Sequence, residues 1–489
     1  MTAPVRTRYA PSPTGLMHVG NLRTALFEYL IAKSAGGVFV LRIEDTDQER
    51  QVEGAEQVIY DTLKRVGLVH DEGPDVGGPY APYVQSQRRH LYRPYAEQLV
   101  AEGKAYRCFC TRERLESLRA DAEGIQGYDR HCRDLPAEEV ERLLAAGTPH
   151  VIRQKMPLTG TTAFHDAVYG TIQVENKELE DQVLLKSDGY PTYNFANVID
   201  DHEMRITHVV RGSEYLSSAP KYNLLYDAFG WEVPEYVHLP LIVGRNPDGT
   251  VSKLSKRHGA TSFDDLVREG YLPEAIINYI ALLGWAPGDT REVFSLAELT
   301  EAFRISGISK SPALFDYDKL AWFNAGYLRA MEPARFLETA AAPIDQALGG
   351  RCLDRTLLAS ILQPRVERLT DIPGMIGFLA ALPDYDADLF THKKMKTDPA
   401  LALTVLTEAL ETLASLPEWG VEPIHAALIG LAESSGRKNG QVMWPVRIAA
   451  SGTAVTPGGA VEILSLLGRE ESLGRIRAGV DKLRPLVQG

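Results

Sequence analysis

Pro11-Ser12-Pro13-Thr14-Gly15-Leu16-Met17-His18-Val19-Gly20-Asn21 is the stretch on which the fold turns. It follows a strand-like run over residues 5–10. It then enters a helical pattern over 21–34, with apolar Leu22, Leu26, Tyr29 and Leu30 at i, i+4, i+7 and i+8. A strand, a turn and a helix N-terminus in succession form an anion site, because free backbone N–H groups and the helix dipole both face the turn. His18 can donate a hydrogen bond to phosphate, and Gly20, lacking a side chain, lets a base or ribose lie against the backbone. A second stretch, Lys253-Leu254-Ser255-Lys256-Arg257, supplies two ammonium groups and a hydroxyl. It lies near Gly244, Gly249 and Gly259, which suggest a mobile loop able to close over a triphosphate. Together the two stretches read as an ATP site. Taken singly, the first is compatible with a packed or capping histidine and the second with a solvated turn.

Working outward, residues 38–43 read as a second strand, 55–66 as a helix, 206–210 and 237–243 as further strands, and 219–229 as a helix between them. That alternation is expected of a doubly wound parallel sheet. Between them, from about residue 91 to 187, a helix, two close cysteines and β-rich text at 150–155 and 170–174 read as an insertion. The sheet is then completed by residues distant in sequence. After Arg257 the text becomes mainly helical, with segments at 272–283, 296–303, 353–367, 401–416, 423–434 and 461–467. These are punctuated by Pro343, Pro373, Pro383, Pro417 and the pair Gly349-Gly350.

Composition narrows the class. With 489 residues and 44% apolar content the chain has material for about three domains or more. Its 52 basic against 65 acidic residues give a net charge of −13, which argues against indiscriminate coating of nucleic acid. Selective RNA binding through local basic faces is left open, the candidates being Arg130, His131 and Arg133, then Lys393, Lys394 and Lys396, then Arg437-Lys438. No apolar run reaches the roughly 18 residues of a membrane span, and Arg6 and Arg8 interrupt the N-terminal segment, so no membrane association and a cytoplasmic location are expected. Four cysteines do not make a disulfide framework.

Three charged residues fall at or near strand ends where open α/β sheets bind ligands: Arg8, Glu44 and Arg211. Two guanidinium forks and a carboxylate suit a small zwitterion carrying an extra acidic group. The alternative is a structural salt bridge between Glu44 and one of the two arginines.

At this point the residues resemble a family. Pro11 to Asn21 resembles the "HIGH" signature and Lys253 to Arg257 the "KMSKS" signature of class I aminoacyl-tRNA synthetases. Arg42-Ile-Glu-Asp-Thr-Asp47, Lys186-Ser-Asp-Gly-Tyr-Pro-Thr-Tyr193 and Asn197-Val-Ile-Asp-Asp-His202 resemble the bacterial glutamyl-tRNA synthetases. The resemblance covers essentially the whole chain. It implies an α/β fold with a Rossmann-type parallel sheet, an inserted α+β acceptor-binding domain and an all-helical anticodon-binding half. The implied divisions are catalytic halves at 1–90 and 190–245, the insertion at 91–189, a stem-contact domain with the Lys253 loop at 246–330, and two helical anticodon-binding parts at 331–388 and 389–489.

The resemblance implies a glutamate–tRNA ligase. Glutamate attacks the α-phosphate of ATP to give glutamyl-adenylate and pyrophosphate, and the 2′-hydroxyl of the terminal adenosine of tRNA(Glu) then takes the glutamyl group, releasing AMP. A carboxylate is already a nucleophile, so activation needs positioning and charge neutralisation rather than a general base. His18, Lys253 and Lys256 would carry catalysis with Mg²⁺ on the phosphates. Gly20, Glu214, Ser255, Lys256 and Arg257 would hold ATP. Arg8, Ala10, Ser12, Glu44, Tyr193, Asn197 and Arg211 match the glutamate pocket, with the arginines on the side-chain carboxylate. Tyr215 stands where many relatives carry tryptophan.

In the helical half, Gln363-Pro364-Arg365 resembles the site where members reading only tRNA(Glu) set an arginine against an anticodon base, and Arg447, Thr456 and Pro457 match further anticodon contacts. Without that match Arg365 would equally be a helix-surface residue paired with Glu367 or Asp371. Cys108, Cys110 and Cys132 resemble a zinc site of some members, with Tyr128, His131 or Asp134 as fourth ligand. The text Cys132-Arg133-Asp134 departs from the common Cys-x-His ending, and three free buried cysteines are the alternative. A monomer is expected, with tRNA(Glu), L-glutamate and ATP as partners and no DNA. Competing readings are an enzyme that also charges tRNA(Gln), a tRNA base-modifying relative, which the helical half at 331–489 argues against, and a non-catalytic tRNA-binding paralogue. The last should have lost His18, Gly20, Lys253 and Lys256 first.

Overall fold

The strands Arg6–Tyr9 and Val38–Leu41 run side by side in parallel, with Arg8 opposite Val40, and the helix Val19–Ser34 connects them. The computed structural model of the chain describes residues 4–46, 52–120 and 128–488. It divides into two units, Met1–Leu266 with Ile276–Asp316 and Val267–Ala275 with Tyr317–Gly489.

In the first unit the connecting helix begins two residues before the expected position 21. His18 caps it, Nδ1 accepting from the Gly20 N–H at 3.0 Å. The helix has no wet face at its centre, since Leu22, Leu26 and Leu30 are buried and so are Arg23 and Glu28. Parallel extensions continue past the strand pair through bridges from Val40 to Glu72 and from Ile43 to Val84.

A four-stranded sheet runs in the order Gly170–Glu175, Thr161–Asp166, Glu235–Leu239, His208–Gly212. The last two strands are parallel, with Arg211 opposite His238. The Thr207 N–H donates to the Arg6 carbonyl at 2.9 Å, which ties this sheet to the first strand. The sheet is thus completed by distant residues, as the sequence implies. Its outer hairpin comes from within the segment read as an insertion, joining at Asp166 opposite Tyr236. The rest of that segment holds a separate antiparallel sheet of Ala105–Cys108, Val151–Gln154 and Val183–Leu185.

One expectation is corrected here. The run 237–243 is not a single strand but two, Glu235–Leu239 and Ile242–Arg245, which belong to different sheets. Pro240 has no N–H to give a ladder, so the chain leaves one sheet and enters another at that point.

The second unit is helical, built on Tyr317–Ala330, Arg355–Leu362, Pro399–Ala414, Val421–Ser434, Asn439–Ser451, Ala460–Leu467 and Arg469–Gln488 among others. Leu358, Leu406, Leu428, Val446, Leu464 and Ile476 are among its fully buried core residues. Asp398 caps Pro399–Ala414 by accepting from the Leu401 N–H at 2.8 Å, with Pro399 at the first helical position. The helix expected at 353–367 is shorter. Asp354 caps it, and it stops at Leu362, with Gln363 still in helical backbone as its C-cap, because Pro364 has no N–H to carry the helical ladder further.

Candidate active site

The C-terminal ends of the first unit's parallel strands open into a cavity of about 460 Å³. Arg8, Ala10, Ser12, His18, Gly20, Glu44, Tyr193, Arg211, Glu214 and Lys253 all line it. The two signature stretches meet because the chain just beyond the lysine loop is stitched to the phosphate turn. The Val19 N–H donates to the Thr261 carbonyl at 2.8 Å, and the Phe263 N–H to the Met17 carbonyl at 2.9 Å.

The His18 tautomer follows from its cap. Since Nδ1 accepts from the Gly20 N–H, the proton resides on Nε2, which is left to donate. Burial and the nearby Lys253 ammonium hold the imidazole below its ordinary pKa, so it is neutral at pH 7. Lys253 and Glu214 form an exposed ion pair at 3.3 Å. A Cβ on Gly212 would lie 2.0 Å from the Glu214 carboxylate, so the absent side chain is what lets Glu214 fold back over the strand end.

Ser255, Lys256 and Arg257 do not line the cavity. They lie just past Leu254, with Lys256 and Arg257 exposed in a short 3-10 turn, Lys256–His258. His258 anchors this turn, Nδ1 accepting from the Ser255 N–H at 3.0 Å and Nε2 bonding Asn246 Oδ1 at 3.0 Å. Gly244, read in the sequence as part of a mobile loop, has a different task. It lies in the strand Ile242–Arg245, and a Cβ there would strike the His258 ring at 2.5 Å.

Arg8, Glu28 and Glu44, which also line the cavity, belong to a buried lattice of charges. Arg8 Nε donates to Asp201 Oδ1 at 2.9 Å and its Nη1 to Glu28 Oε1 at 3.2 Å. Arg42, with no exposed surface, joins Asp201 at 2.7 Å to Glu44 at 2.9 Å. Burial opposes ionisation of Asp201, but the Arg8 and Arg42 guanidinium groups outweigh it and hold the carboxyl below its ordinary range. Burial pushes Glu28 well above its ordinary range, and among the described residues its Oε2 has no hydrogen-bond partner. Glu44 is raised by burial, against the pull of Arg42.

The salt bridge considered from sequence therefore exists with a different partner. Glu44 pairs with Arg42, two residues before it, while Arg8 is balanced by Asp201, with Glu28 as a further hydrogen-bond acceptor. Arg211 stands apart. Among the described residues it has no carboxylate partner; its Nε donates to His238 Nε2 at 3.2 Å, and Nη2 is buried without a partner. The Tyr222 ring lies 4.5 Å from its guanidinium carbon, and Tyr215 and Tyr236 each 5.4 Å. Asn197 is buried and does not line the cavity, and among the described residues its Nδ2 has no partner.

Several members of this site were not singled out from sequence. Arg23, whose guanidinium binds the carbonyls of Leu283 and Pro240, and Glu28 lie in the helix Val19–Ser34 and line the cavity with Asn21 and Thr24. Asn21, Thr24 and Glu28 fall at i, i+3 and i+7 on one face of that helix, and that was the readable signal. Asp166 and His238 carry no such mark. Asp47, the last residue of the motif at 42–47, lies outside the described residues.

Cys108, Cys110 and Cys132 come together with their sulfurs within 4.8 Å of one another. The Tyr128 hydroxyl is 3.2 Å from Cys108 Sγ and 3.7 Å from Cys110 Sγ. Asp134 instead pairs with Lys155 at 3.2 Å, and His131 is exposed. Tetrahedral thiolate coordination at about 2.3 Å separates sulfurs by about 3.8 Å, so the cluster is of a size to hold zinc with Tyr128 completing the set. Burial raises Cys110 to about 12. Burial also acts to raise Cys108, but the Tyr128 hydrogen bond helps to bring it below its ordinary value.

In the second unit Arg447 Nη1 donates to Thr456 Oγ1 at 2.7 Å and Nη2 to the Ala454 carbonyl at 2.8 Å, with the guanidinium over the Trp444 ring. Pro457 follows in the same loop, which packs on the helix Arg355–Leu362 where a Cβ on Gly458 would lie 3.2 Å from Ile361. Arg365, just beyond that helix, is exposed and donates to the Ile361 carbonyl at 3.1 Å. The pairing with Asp371 considered from sequence goes to Arg368 instead, at 2.9 Å.

Comparison with known proteins agrees with this geometry. Residues 4–322 match the model of the tRNA synthetases class I (E and Q), catalytic domain, and residues 318–480 that of an anticodon binding domain. The chain is 56% identical over 489 residues to a glutamate–tRNA ligase of Clostridium botulinum, covering 99% of this chain and 100% of that protein. It is 54% identical over 483 residues to one of Clostridium tetani, covering 98% of each. Among solved structures, a glutamate tRNA ligase of Elizabethkingia meningosepticum in complex with its amino acid aligns with a TM-score of 0.90 at 38% identity, covering 98% of this chain and 100% of that one.

Proposed function

This chain belongs to the class I tRNA synthetases of the E and Q type, and from that premise we propose that it is a glutamate–tRNA ligase. It condenses L-glutamate with ATP to glutamyl-adenylate and pyrophosphate, then transfers the glutamyl group to the terminal adenosine of tRNA(Glu). The observation that carries this reading is the make-up of one cavity, whose lining joins an arginine that has no carboxylate partner among the described residues with a neutral N–H-donating histidine near a lysine.

Arg211 offers its charge to a carboxylate of the amino acid. Arg8 shapes the floor with its charge already balanced, and Glu44, Ala10, Ser12, Tyr193 and Asn197 complete the pocket. Glutamine fits poorly, because an amide presents N–H donors to a guanidinium that has only donors. His18 Nε2–H and Lys253 hold the phosphate chain. Gly20 and Glu214 border the nucleoside, and the exposed Lys256, with Ser255 and Arg257, closes on the triphosphate as charge moves onto the leaving pyrophosphate. Mg²⁺ accompanies ATP as part of the substrate and neutralises charge between its oxygens. Arg365, Arg447, Thr456 and Pro457 meet the anticodon. Zinc on Cys108, Cys110, Cys132 and Tyr128 would cross-link the turn that carries them. The enzyme is read as a cytoplasmic monomer, and among the described residues no helix is long and apolar enough to cross a membrane.

Glutamate-dependent ATP–pyrophosphate exchange and aminoacylation, run with and without purified tRNA(Glu) and tRNA(Gln), test the proposal. Charging of tRNA(Glu) alone is expected. Equal rates on both transcripts would overturn the strict anticodon reading that rests on Arg365, and no glutamate-dependent exchange under any condition would overturn the function. Metal analysis of the same sample checks the cysteine cluster.

A further inference from the structure

Arg211 is held from behind by a second pair of side chains that the glutamate pocket does not contain. The Asp166 carboxylate accepts from both the His238 backbone N–H at 3.0 Å and His238 Nδ1 at 2.6 Å. His238 Nε2 in turn accepts from Arg211 Nε at 3.2 Å. Asp166 and His238 are both fully buried. Asp166 is itself immobile, its other oxygen capping the hairpin turn through the Val168 and Tyr169 N–H groups at 2.9 and 2.7 Å.

The directions leave one assignment. Arg211 Nε can only donate, so His238 Nε2 must be an unprotonated acceptor and its single proton sits on Nδ1, facing Asp166. We propose that His238, fixed in this neutral tautomer by Asp166, is the positioning residue that aims the Arg211 guanidinium at the ligand carboxylate while leaving its charge unneutralised. This rests on the reading that Arg211 binds the glutamate carboxylate. An aspartate in the place of His238 would orient the fork equally well, but would neutralise the charge that the ligand needs. A neutral acceptor separates orientation from charge.

The groups facing the imidazole are Asp166, Arg211, Glu214 and the ring of Tyr236. Burial and the Arg211 charge keep its pKa below the ordinary histidine value, against the pull of Asp166. The neutral acceptor is therefore present at pH 7. It is lost only as the pH falls below the ordinary histidine range, where a protonated ring would repel Arg211 and turn a donor toward it.

The test is steady-state aminoacylation of tRNA(Glu) by the full-length enzyme from pH 5 to 8, with KM measured separately for glutamate, ATP and tRNA. His238→Leu, which removes the acceptor, is expected to raise KM for glutamate by about tenfold or more while KM for ATP changes by less than about twofold. His238→Gln, whose Oε1 can accept from Arg211 Nε without titrating, is expected to keep KM for glutamate near the parent value. It should also abolish the parent's rise in that KM at acid pH. An unchanged glutamate KM in His238→Leu, or equal rises for glutamate and ATP, overturns the proposal. If the leucine variant does not fold, an acid rise persisting in His238→Gln overturns it equally. Arg211→Ala separates the two readings: an unchanged glutamate KM there removes the assignment of Arg211 itself, whereas a large rise there beside a silent His238→Leu removes only the positioning role.

Discussion

The two ends of the cavity hold charge in opposite ways. At the amino-acid end Arg8, Glu28, Arg42, Glu44 and Asp201 are all buried and fastened to one another. At the phosphate end Lys253 and Glu214 retain 67% and 44% of their side-chain exposure, and Lys256 and Arg257 are exposed. Buried charges in a low-dielectric lattice interact strongly and cannot rearrange cheaply, which suits recognition of one small ligand by shape and charge. Exposed ammonium groups interact weakly at rest and are free to follow charge that appears only as the reaction proceeds. Under the proposed function, the contrast places the buried, interlocked charges where the amino acid would be chosen and the exposed ones where the phosphate would leave.

Breaking the buried end should cost most in stability. Asp201→Ala leaves Arg42 with Glu44 and Arg8 with only Glu28, whose proton burial favours, and is expected to destabilise the fold by about 3–5 kcal/mol, read as a fall in the urea midpoint at constant slope. A loss below about 1 kcal/mol would mean that the lattice is more hydrated than its burial indicates.

The exposed end should show the reverse pattern. Lys256→Ala is expected to leave the urea midpoint in place while lowering ATP–pyrophosphate exchange by about 10²- to 10³-fold, or about 3–4 kcal/mol of transition-state stabilisation. Exchange at the parental rate would remove that loop from the chemistry and with it half of the comparison.

The smallest effect sharpens the comparison through pH. Glu28 holds its proton in the folded chain above the ordinary carboxylate range because of burial, whereas in the unfolded chain it ionises near its ordinary value. Between those two values the folded state binds more protons, so this group's contribution to stability declines as the pH rises. Glu28→Gln is accordingly expected to raise the melting temperature at pH 8, with the gain shrinking toward pH 5. A gain that grows toward acid pH would reverse the assignment of the proton.

The phosphate turn was legible because its chemistry is local. A strand, a Gly-containing turn and a helix start are adjacent in sequence, and the capping role of His18 follows from its place just before Val19. The lysine stretch was legible by its residue types, although the meaning of Gly244 was not, since only the fold brings the His258 ring against it. Pro240 carried a readable signal against the single strand at 237–243 that apolar continuity obscured. The partners of Glu44 and Arg8 were not readable, because any nearby acid and base satisfy the same sequence rule. Arg365 shows the same limit from the other side, its expected acidic neighbour Asp371 being taken by Arg368.

By itself the order of residues determined which groups bear charge, where strands turn into helices, and that a strand–turn–helix start suited to phosphate and a lysine loop share one chain. Those properties depend on neighbours within a few positions. Only the tertiary structure decided that Arg8 is neutralised and Arg211 is not, since a guanidinium's charge is balanced by whatever carboxylate lies within about 4 Å. For Arg8 that carboxylate is Asp201, with Glu28 as a further hydrogen-bond acceptor, and for Arg211 the nearest holder is a neutral histidine whose own proton is fixed from another strand.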